Sequence, residues 1–303
     1  YNQDFEDFVC SVADDGSSDG TLDTIRAHFP QTKIYQCKES KGPSFNRNLV
    51  LRDAVEEFIL FMDSDAFIDK KWIGDAVSRM EQDAKIGLIG GKVFEGRTRQ
   101  IQSAGGHMHC GGICWLVRCD ENDEPAQIPE AYFFHLPSST FMMRTHVAKE
   151  IGGFDADYCY LYEDLDICWR VWLAGYKVLY YKKLVSRHLL STTSNREYTQ
   201  GRRQFMSKRN KMITLFKNFE LISIVKYLPF ILGVLLLEVI LLKPRKAVLL
   251  GNIYPFFHPL VMMKKRKEVE RIRKVSDRGM RDLLTTDHLF VLKMCIGDIF
   301  RRQ

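Results

Sequence analysis

The chain holds 303 residues, 46% hydrophobic and 27% charged, which supplies a sizeable core and excludes a disordered or fibrous chain. Its formal net charge of +6 conceals an asymmetry: residues 1–200 carry 22 basic and 30 acidic groups, a balance of −8, and residues 201–303 carry 22 and 8, a balance of +14. An acidic body with a basic, apolar tail points to a soluble domain tethered to an anionic surface. The eight cysteines are scattered and read as reduced thiols of a cytosolic setting, no secretory signal is visible, and the first residue is Tyr1 rather than Met.

Residues 8–13 (FVCSVA) are a short apolar run that ends in the polar turn Asp14-Asp15-Gly16-Ser17-Ser18-Asp19-Gly20. This predicts a buried strand, then a helix over 21–29 that Pro30 closes. A second strand is expected at 33–37, a helix at 44–54, and a third strand at 57–62 (EFILFM), ending at Asp63-Ser64-Asp65. A helical pattern covers 72–83 and a strand pattern 86–94. Strands alternating with short helices predict an α/β fold, a Rossmann-like and mostly parallel sheet with right-handed crossovers and ligands beyond the strands' carboxyl ends. DDGSSD and DSD would then face one crevice. Residues 100–130 read as a glycine-rich hairpin excursion over it, and 141–151 as a helix broken by Gly152-Gly153. Residues 158–173 carry Glu163-Asp164-Leu165-Asp166, and 176–181 (YKVLYY) return as a strand before Ser186-Arg187-His188.

Two carboxylates two residues apart at a strand end lie on one side, so Asp63 and Asp65 could hold Mn²⁺ or Mg²⁺ against a diphosphate; a solvated turn has the same composition. Asp14 and Asp15 could accept hydrogen bonds from a base or ribose, or could serve only as turn and cap residues. Asp164, at a helix start, could act as a general base, although the helix dipole alone favours acids there. His188 could be a third metal ligand or a structural histidine. The stretch His107-Met108-His109-Cys110-Gly111-Gly112-Ile113-Cys114, with Cys119, offers imidazoles and thiols, but its spacing matches no standard zinc knuckle and reads as a β-hairpin.

Taken in order, DDGSSDGT, KGPSFNRN, FMDSDAFI, GGFDADYCYLYEDLDICWRVWLAGYKV and SRH resemble a family 2 glycosyltransferase of the GT-A fold, in its bacterial rhamnosyltransferase-like branch, over nearly all of residues 8–215. The resemblance implies that Asp14 and Asp15 contact the nucleotide base and that Lys41, Asn46 and Arg47 line the nucleotide site. It makes Asp63 the ribose- or metal-side carboxylate, Asp65 the direct metal ligand and His188 the residue completing the metal site. It casts Asp164 as the catalytic base, with Glu163 beside it. It further implies a nucleotide-diphosphate sugar donor, Mn²⁺ or Mg²⁺, and inversion at the anomeric carbon. Relatives open on an apolar strand and a TYN-like turn, whereas this sequence begins at Tyr1-Asn2-Gln3, so the first strand is expected to lie outside it. Ser138 and Ser139 stand where relatives often have a Gly-Ala pair, which would alter the floor of the donor-sugar pocket. The QxxRW signature of processive synthases is not found after Arg170, which favours transfer of one sugar. A nucleotidyltransferase using the same crevice and a non-catalytic membrane-bound nucleotide-sugar-binding protein are the alternative functions.

Residues 221–242 are an apolar run long enough to span a bilayer, interrupted by Lys226, Pro229 and Glu238; 247–263 are a second, shorter one. Basic clusters bracket both. Two full spans would place the middle cluster on the outer side, so helices lying in the inner leaflet or a re-entrant pair are the better expectation. Residues 264–281 read as a charged helix resting on anionic headgroups; without interleaved aromatics they do not read as a nucleic-acid site. The sequence thus divides into a catalytic domain over 1–215 and a helical membrane-associated tail over 216–303, at the cytoplasmic membrane face. The expected acceptor is lipid-linked or a polysaccharide of the cell surface.

Overall fold

Runs of branched and aromatic residues punctuated by Gly, Pro and Asp set the strands. The structure, a computed structural model, describes residues 2–98, 100–117, 121–122, 128–189 and 199–287. β1 (Ser11–Asp14) pairs in parallel with β2 (Lys33–Gln36) through α1 (Thr21–His28), and α2 (Pro43–Asp53) follows, its Pro in the first turn where a missing N–H costs nothing. Next come β3 (Phe58–Met62), β4 (Ala66–Ile68), α3 (Trp72–Glu81) and β5 (Ile86–Glu95). The excursion holds β6 (Gln100–Ser103), β7 (Gly106–His109), β8 (Cys114–Leu116), β9 (Glu121–Asn122) and β10 (Ala131–Tyr132). β11 (Thr140–Arg144), α4 (Thr145–Glu150), α5 (Glu163–Leu173) and β12 (Lys177–His188) complete the α/β body. Four helices follow, α6 (Gln200–Asn218), α7 (Leu221–Leu241), α8 (Arg245–Phe257) and α9 (Pro259–Ile272), then a 3₁₀ turn and β13 (Leu284–Thr285).

The main sheet runs β10-β12-β5-β11-β3. β3, β5 and β12 point the same way, and β11 is inserted in reverse between β5 and β3, so only the β5–β12 pairing along this path is parallel and the sheet is mixed rather than mostly parallel. Among the helices the structure corrects one expectation: 140–144 are strand, and only 145–150 of the predicted 141–151 helix are helical. Every residue of β11 is buried and its backbone pairs on both edges. Its apolar stretch, Phe141-Met142-Met143, is too short and unbroken to show a periodicity, so sequence alone cannot tell such a central strand from a helix. A second correction concerns 264–281. Helix α9 ends at Ile272, and Arg273 turns back to pair with Asp277 at 3.2 Å as the 3₁₀ turn begins. The second apolar run is likewise divided, between α8 and α9 at His258-Pro259.

The layers explain α5. Its Ile167, Cys168 and Val171 face the sheet with Leu88, Phe141 and Met143, while Leu165, Trp169 and Leu173 face Met212, Phe219 and Ile231 of α6 and α7. A helix covered on both sides is apolar on both, and beyond its first turn this one carries a single charged residue, Arg170, which is buried and paired. α3 covers the opposite sheet face with Trp72, Ile73, Ala76 and Met80.

Charges pin the outer helices to this body. Asp166, fully buried on α5, accepts from Arg170 at 2.8 and 3.0 Å, Lys217 at 3.0 Å and Asn218 at 2.9 Å. Lys217 also reaches Asp155 at 2.6 Å, as does Lys265 of α9. Burial alone would raise the Asp155 carboxyl, but Lys217 and Lys265 hold it well below the usual carboxylate range. Replacing one member strands buried charges. Asp166→Ala is therefore expected to cost about 3–5 kcal/mol, read as a lower urea midpoint, whereas the exposed Asp23→Ala should change it by less than about 0.5 kcal/mol.

Candidate active site

The turn after β3 is built by its neighbours. Asp63 N–H donates to Ser139 O at 3.0 Å, Ala66 N–H closes the turn on Asp63 O at 3.0 Å, and Leu189 N–H donates to Asp65 O at 3.0 Å. β4 pairs with the end of β12 so that His188 lies opposite Ala66. The register brings the imidazole to the two carboxylates: His188 Nε2 is 3.1 Å from Asp65 Oδ1 and 3.8 Å from Asp63 Oδ2. The Gln102 side-chain amide sits 3.2 Å from His188 Nδ1 and fixes the ring. One ligand atom each from Asp63, Asp65 and His188 lie within 4.8 Å of one another, and among the described residues no other group of His, Cys, Asp or Glu converges in this way. Two hard oxygens and one imidazole fit Mn²⁺ well and Mg²⁺ acceptably.

Arg47, from the second turn of α2, ties this cluster to the EDLD segment. Its Nη2 donates to Asp63 Oδ1 at 2.6 Å and to Ser138 O at 3.2 Å, its Nη1 is 3.9 Å from Glu163 Oε1, and its guanidinium lies over the Phe154 ring. Ser138 Oγ donates to Glu163 Oε1 at 3.3 Å. Arg47 Nη1 and Glu163 Oε2 are buried with no hydrogen-bond partner among the described residues, a pair of orphans that marks a place for a polar ligand. Burial and the neighbouring Asp164 push the Glu163 carboxyl up to about 7, against the pull of Arg47. Asp164, half-buried on the same first turn, accepts from Leu165 N–H at 2.7 Å.

The backbone that delivers Glu163 and Asp164 is strained. Leu161 (φ 69°) and Tyr162 (φ 70°) both occupy the left-handed region, where non-glycine residues are uncommon and a pair more so. Asn210, wholly buried on α6, holds them there by donating to Tyr160 O and Leu161 O at 2.8 Å each.

The first acidic turn behaves differently. Asp14 is buried and caps its own turn, accepting from Gly16 and Ser17 N–H at 3.2–3.3 Å. Asp15 reaches across to the loop before α2, accepting from Lys41 N–H at 2.6 Å, Ser40 Oγ at 2.7 Å and Gly42 N–H at 3.0 Å. Partial burial would raise its carboxyl, but these donors hold it below the ordinary range. Asn46 accepts from the Cys37 thiol at 3.1 Å. Asp14, Asp15 and Asn46 thus shape the loop, while Lys41 lies on it and Arg47 reaches the crevice. Among the described residues the hairpin of β7 and β8 brings no such cluster together: burial pushes its Cys110 and Cys114 thiols up to about 11, and Cys119 lies outside the described residues.

Gln102, Ser138 as a contact of Glu163, and Asn210 are site residues that sequence reasoning missed. The serines stood out only as a departure from relatives, and Gln102 and Asn210 carry no motif. Glu163 supplies a prediction. Its raised carboxyl binds a proton in the folded chain that the unfolded chain has released, so its stabilising contribution is complete below about pH 4.5 and lost as pH rises through about 7. Glu163→Gln should therefore flatten the fall in stability between pH 5 and pH 8, by on the order of 2 kcal/mol, in chemical unfolding with EDTA.

The profile of glycosyl transferase family 2 matches residues 1–152. A pre-mycofactocin glycosyltransferase from Mycobacterium tuberculosis is 25% identical over 174 residues, 56% of this chain and 35% of that one. The poly(ribitol-phosphate) β-N-acetylglucosaminyltransferase TarS from Staphylococcus aureus is 37% identical over 101 residues, 31% of this chain and 18% of that one. The chain thus spans about a third or less of these curated relatives. Among solved structures, GalNAc-T7 with UDP, GalNAc and Mn²⁺ superposes with a TM-score of 0.56 at 14% identity, covering 72% of this chain and 43% of that one. A TarS fragment in complex with UDP superposes at 0.52 and 17% identity, covering 89% and 83%. At these identities the likeness shows the fold, which is GT-A. With half of its residues matched by the family profile, the chain belongs to glycosyl transferase family 2.

Proposed function

We propose that the protein is an inverting, metal-dependent glycosyltransferase that moves a single sugar from a nucleotide-sugar donor to a lipid-linked or polysaccharide acceptor in cell-surface glycan synthesis. The observation that carries this reading is Arg47, which joins the Asp63–Asp65–His188 cluster to Glu163 and leaves orphaned polar atoms between them. Asp65, Asp63 and His188 would hold Mn²⁺ or Mg²⁺, which when bound supplies positive charge to the departing diphosphate. Mn²⁺ and UDP in the GalNAc-T7 complex, and UDP in the TarS complex, support that choice of metal and donor class. Arg47 adds a fixed cation on the same side. Lys41 and Asp15 form the nucleotide wall, with Asp14 and Asn46 behind them. Asp164 takes the proton from the acceptor hydroxyl, which attacks the anomeric carbon as the nucleoside diphosphate leaves; Glu163, protonated up to near neutrality, donates to the bound donor rather than competing as base.

The test is transfer from UDP-N-acetylglucosamine, the donor that the name of TarS supports, with GDP-mannose in parallel. Free nucleoside diphosphate is the expected product. Asp164→Asn should lower turnover by about 100-fold or more while a thermal shift with UDP and Mn²⁺ persists. Asp65→Asn and His188→Ala should abolish the Mn²⁺-dependent part of that shift. Unchanged turnover in Asp164→Asn would sink the assignment.

Residues 216–303 are read as a membrane-associated tail on the catalytic domain, 1–215. One helix, Leu221–Leu241, is long and apolar enough to cross a membrane, by length and composition. Its Ile224, Ile231 and Val234 pack inward, and its Glu238 pairs with Lys208 at 2.9 Å and Lys211 at 2.6 Å on α6. Val225, Leu232, Leu236 and Ile240 form an exposed stripe on the other side. A helix engaged along one face with the body is suited to lying in the surface of the cytoplasmic leaflet, not to crossing it. Leu232→Ser with Leu236→Ser should cut co-sedimentation with phosphatidylglycerol vesicles at least fivefold; unaltered binding would refute this placement.

A further inference from the structure

A cavity of about 850 Å³ lies behind the nucleotide loop, between residues 40–45, the 156–159 segment and helices α6, α8 and α9. It is separate from the Asp63–Asp65–His188 cluster, none of whose residues lines it. Four cations line it, Lys41, Arg202, Arg209 and Lys265, against one carboxylate, Asp157. Glu39, outside the lining, pairs with Lys41 at 3.7 Å, and Asp155 and Asp157 pair with Lys265 at 2.6 and 2.7 Å, so both lysines are engaged within the wall.

Arg209 is set in advance for a ligand. Its guanidinium stands over the rings of Phe205 and Tyr254, its Nε donates to Asn210 Oδ1 at 3.0 Å, and its Nη2 donates to Asp157 O at 2.5 Å. A guanidinium has five donors, so three have no partner among the described residues. Planar, stacked arginines with open donors suit phosphate oxygens, which accept in pairs. Two further features decide the kind of anion. Asp15 grips the 40–42 loop, and the three residues of that loop also line the cavity, so one loop connects the proposed nucleotide wall with it. Its volume exceeds what one phosphate needs and lies within the range of small-molecule sites.

We propose that this cavity is a second anion site, which receives the phosphate or pyrophosphate next to the sugar-accepting end of the acceptor. The proposal deepens the glycosyltransferase reading by naming the acceptor class as phosphate-bearing. Arg209 and Arg202 bind the phosphate oxygens, and Tyr254 supports Arg209. Two sources share this chemistry, a polyprenyl-phosphate-linked glycan and a polyol-phosphate polymer. Val261 lines the cavity and is exposed, with Leu260 beside it, so an apolar wall leads out from the mouth.

The test uses the full chain and inorganic pyrophosphate, measured by calorimetry in EDTA so that no divalent cation sits at the Asp63 cluster. Arg202→Gln with Arg209→Gln should weaken pyrophosphate binding at least tenfold and raise the acceptor KM, while UDP binding with Mn²⁺ is unchanged. Arg209→Lys, which keeps the charge and loses the paired donors, should recover only part of the affinity. The exposed Arg202→Gln alone should weaken binding with an unaltered melting temperature, which separates the effect from misfolding. Competition then sorts the sources: displacement of pyrophosphate by a short-chain polyprenyl phosphate supports the lipid-linked acceptor, and displacement by a ribitol-phosphate oligomer supports the polymer. Displacement by neither, or equal pyrophosphate affinity in the double variant, overturns the proposal, even if sugar transfer is intact. Absence of transfer with pyrophosphate binding retained would instead reject the enzymatic reading and leave the anion site standing.

Discussion

The arrangement of this molecule depends on one buried set of charges. Asp155 and Asp166 lie on either side of the loop that ends at Glu163 and Asp164, and both are held by Lys217, with Lys265 on the first and Arg170 on the second. Arg170 also donates to Ile151 O and Gly153 O at 2.6 and 2.7 Å, so the glycine break and the start of α5 are fastened to the same centre. Ion pairs of this kind contribute little net stability, because desolvation offsets the attraction. What they impose is position. The loop reaches its left-handed residues, Leu161 and Tyr162, with α6 beside it and Asn210 holding the Tyr160 and Leu161 carbonyls.

This explains why the EDLD segment divides into two roles within four residues. Glu163 and Asp164 open the first turn of α5 and meet the crevice, whereas Asp166 makes its contacts with α6. Asp164 and Asp166 are two positions apart on a helix of 3.6 residues per turn, so they lie on opposite faces. The same economy is seen at the other acidic turn. Asp15 spends its carboxylate on the 40–42 loop, whose residues also line the cationic cavity.

Much of the frame was legible from residues. Strand-end reasoning paired Asp63 with Asp65, the family resemblance added His188, and the β4–β12 register brings the three within ligand distance. α5, expected within 158–173, begins only at Glu163, whereas the α/β class and, within two residues, the bounds of α1, α2 and α3 were set by periodicity and by Gly and Pro. β11 was not, because its five buried residues lack any alternation, and only pairing on both edges defines it as a strand. Arg47 was expected at the nucleotide site, but its contacts with Asp63 and Glu163 are products of tertiary packing. Gln102 and Asn210 were illegible for the same reason: each acts on a group more than 45 positions away in sequence, His188 in one case and the Tyr160 and Leu161 carbonyls in the other.

The one-sided packing of α7 has a practical consequence for handling the protein. Its 21 residues resemble a detachable anchor, yet removing them would uncover Phe219, Trp169 and Met212 and leave Lys208 and Lys211 without Glu238. Truncation before residue 221 would yield an aggregating fragment. A detergent-free preparation is better sought by repainting the outward leucines with glutamate or lysine, which leaves the inner seam, and with it the geometry of the loop before α5, intact.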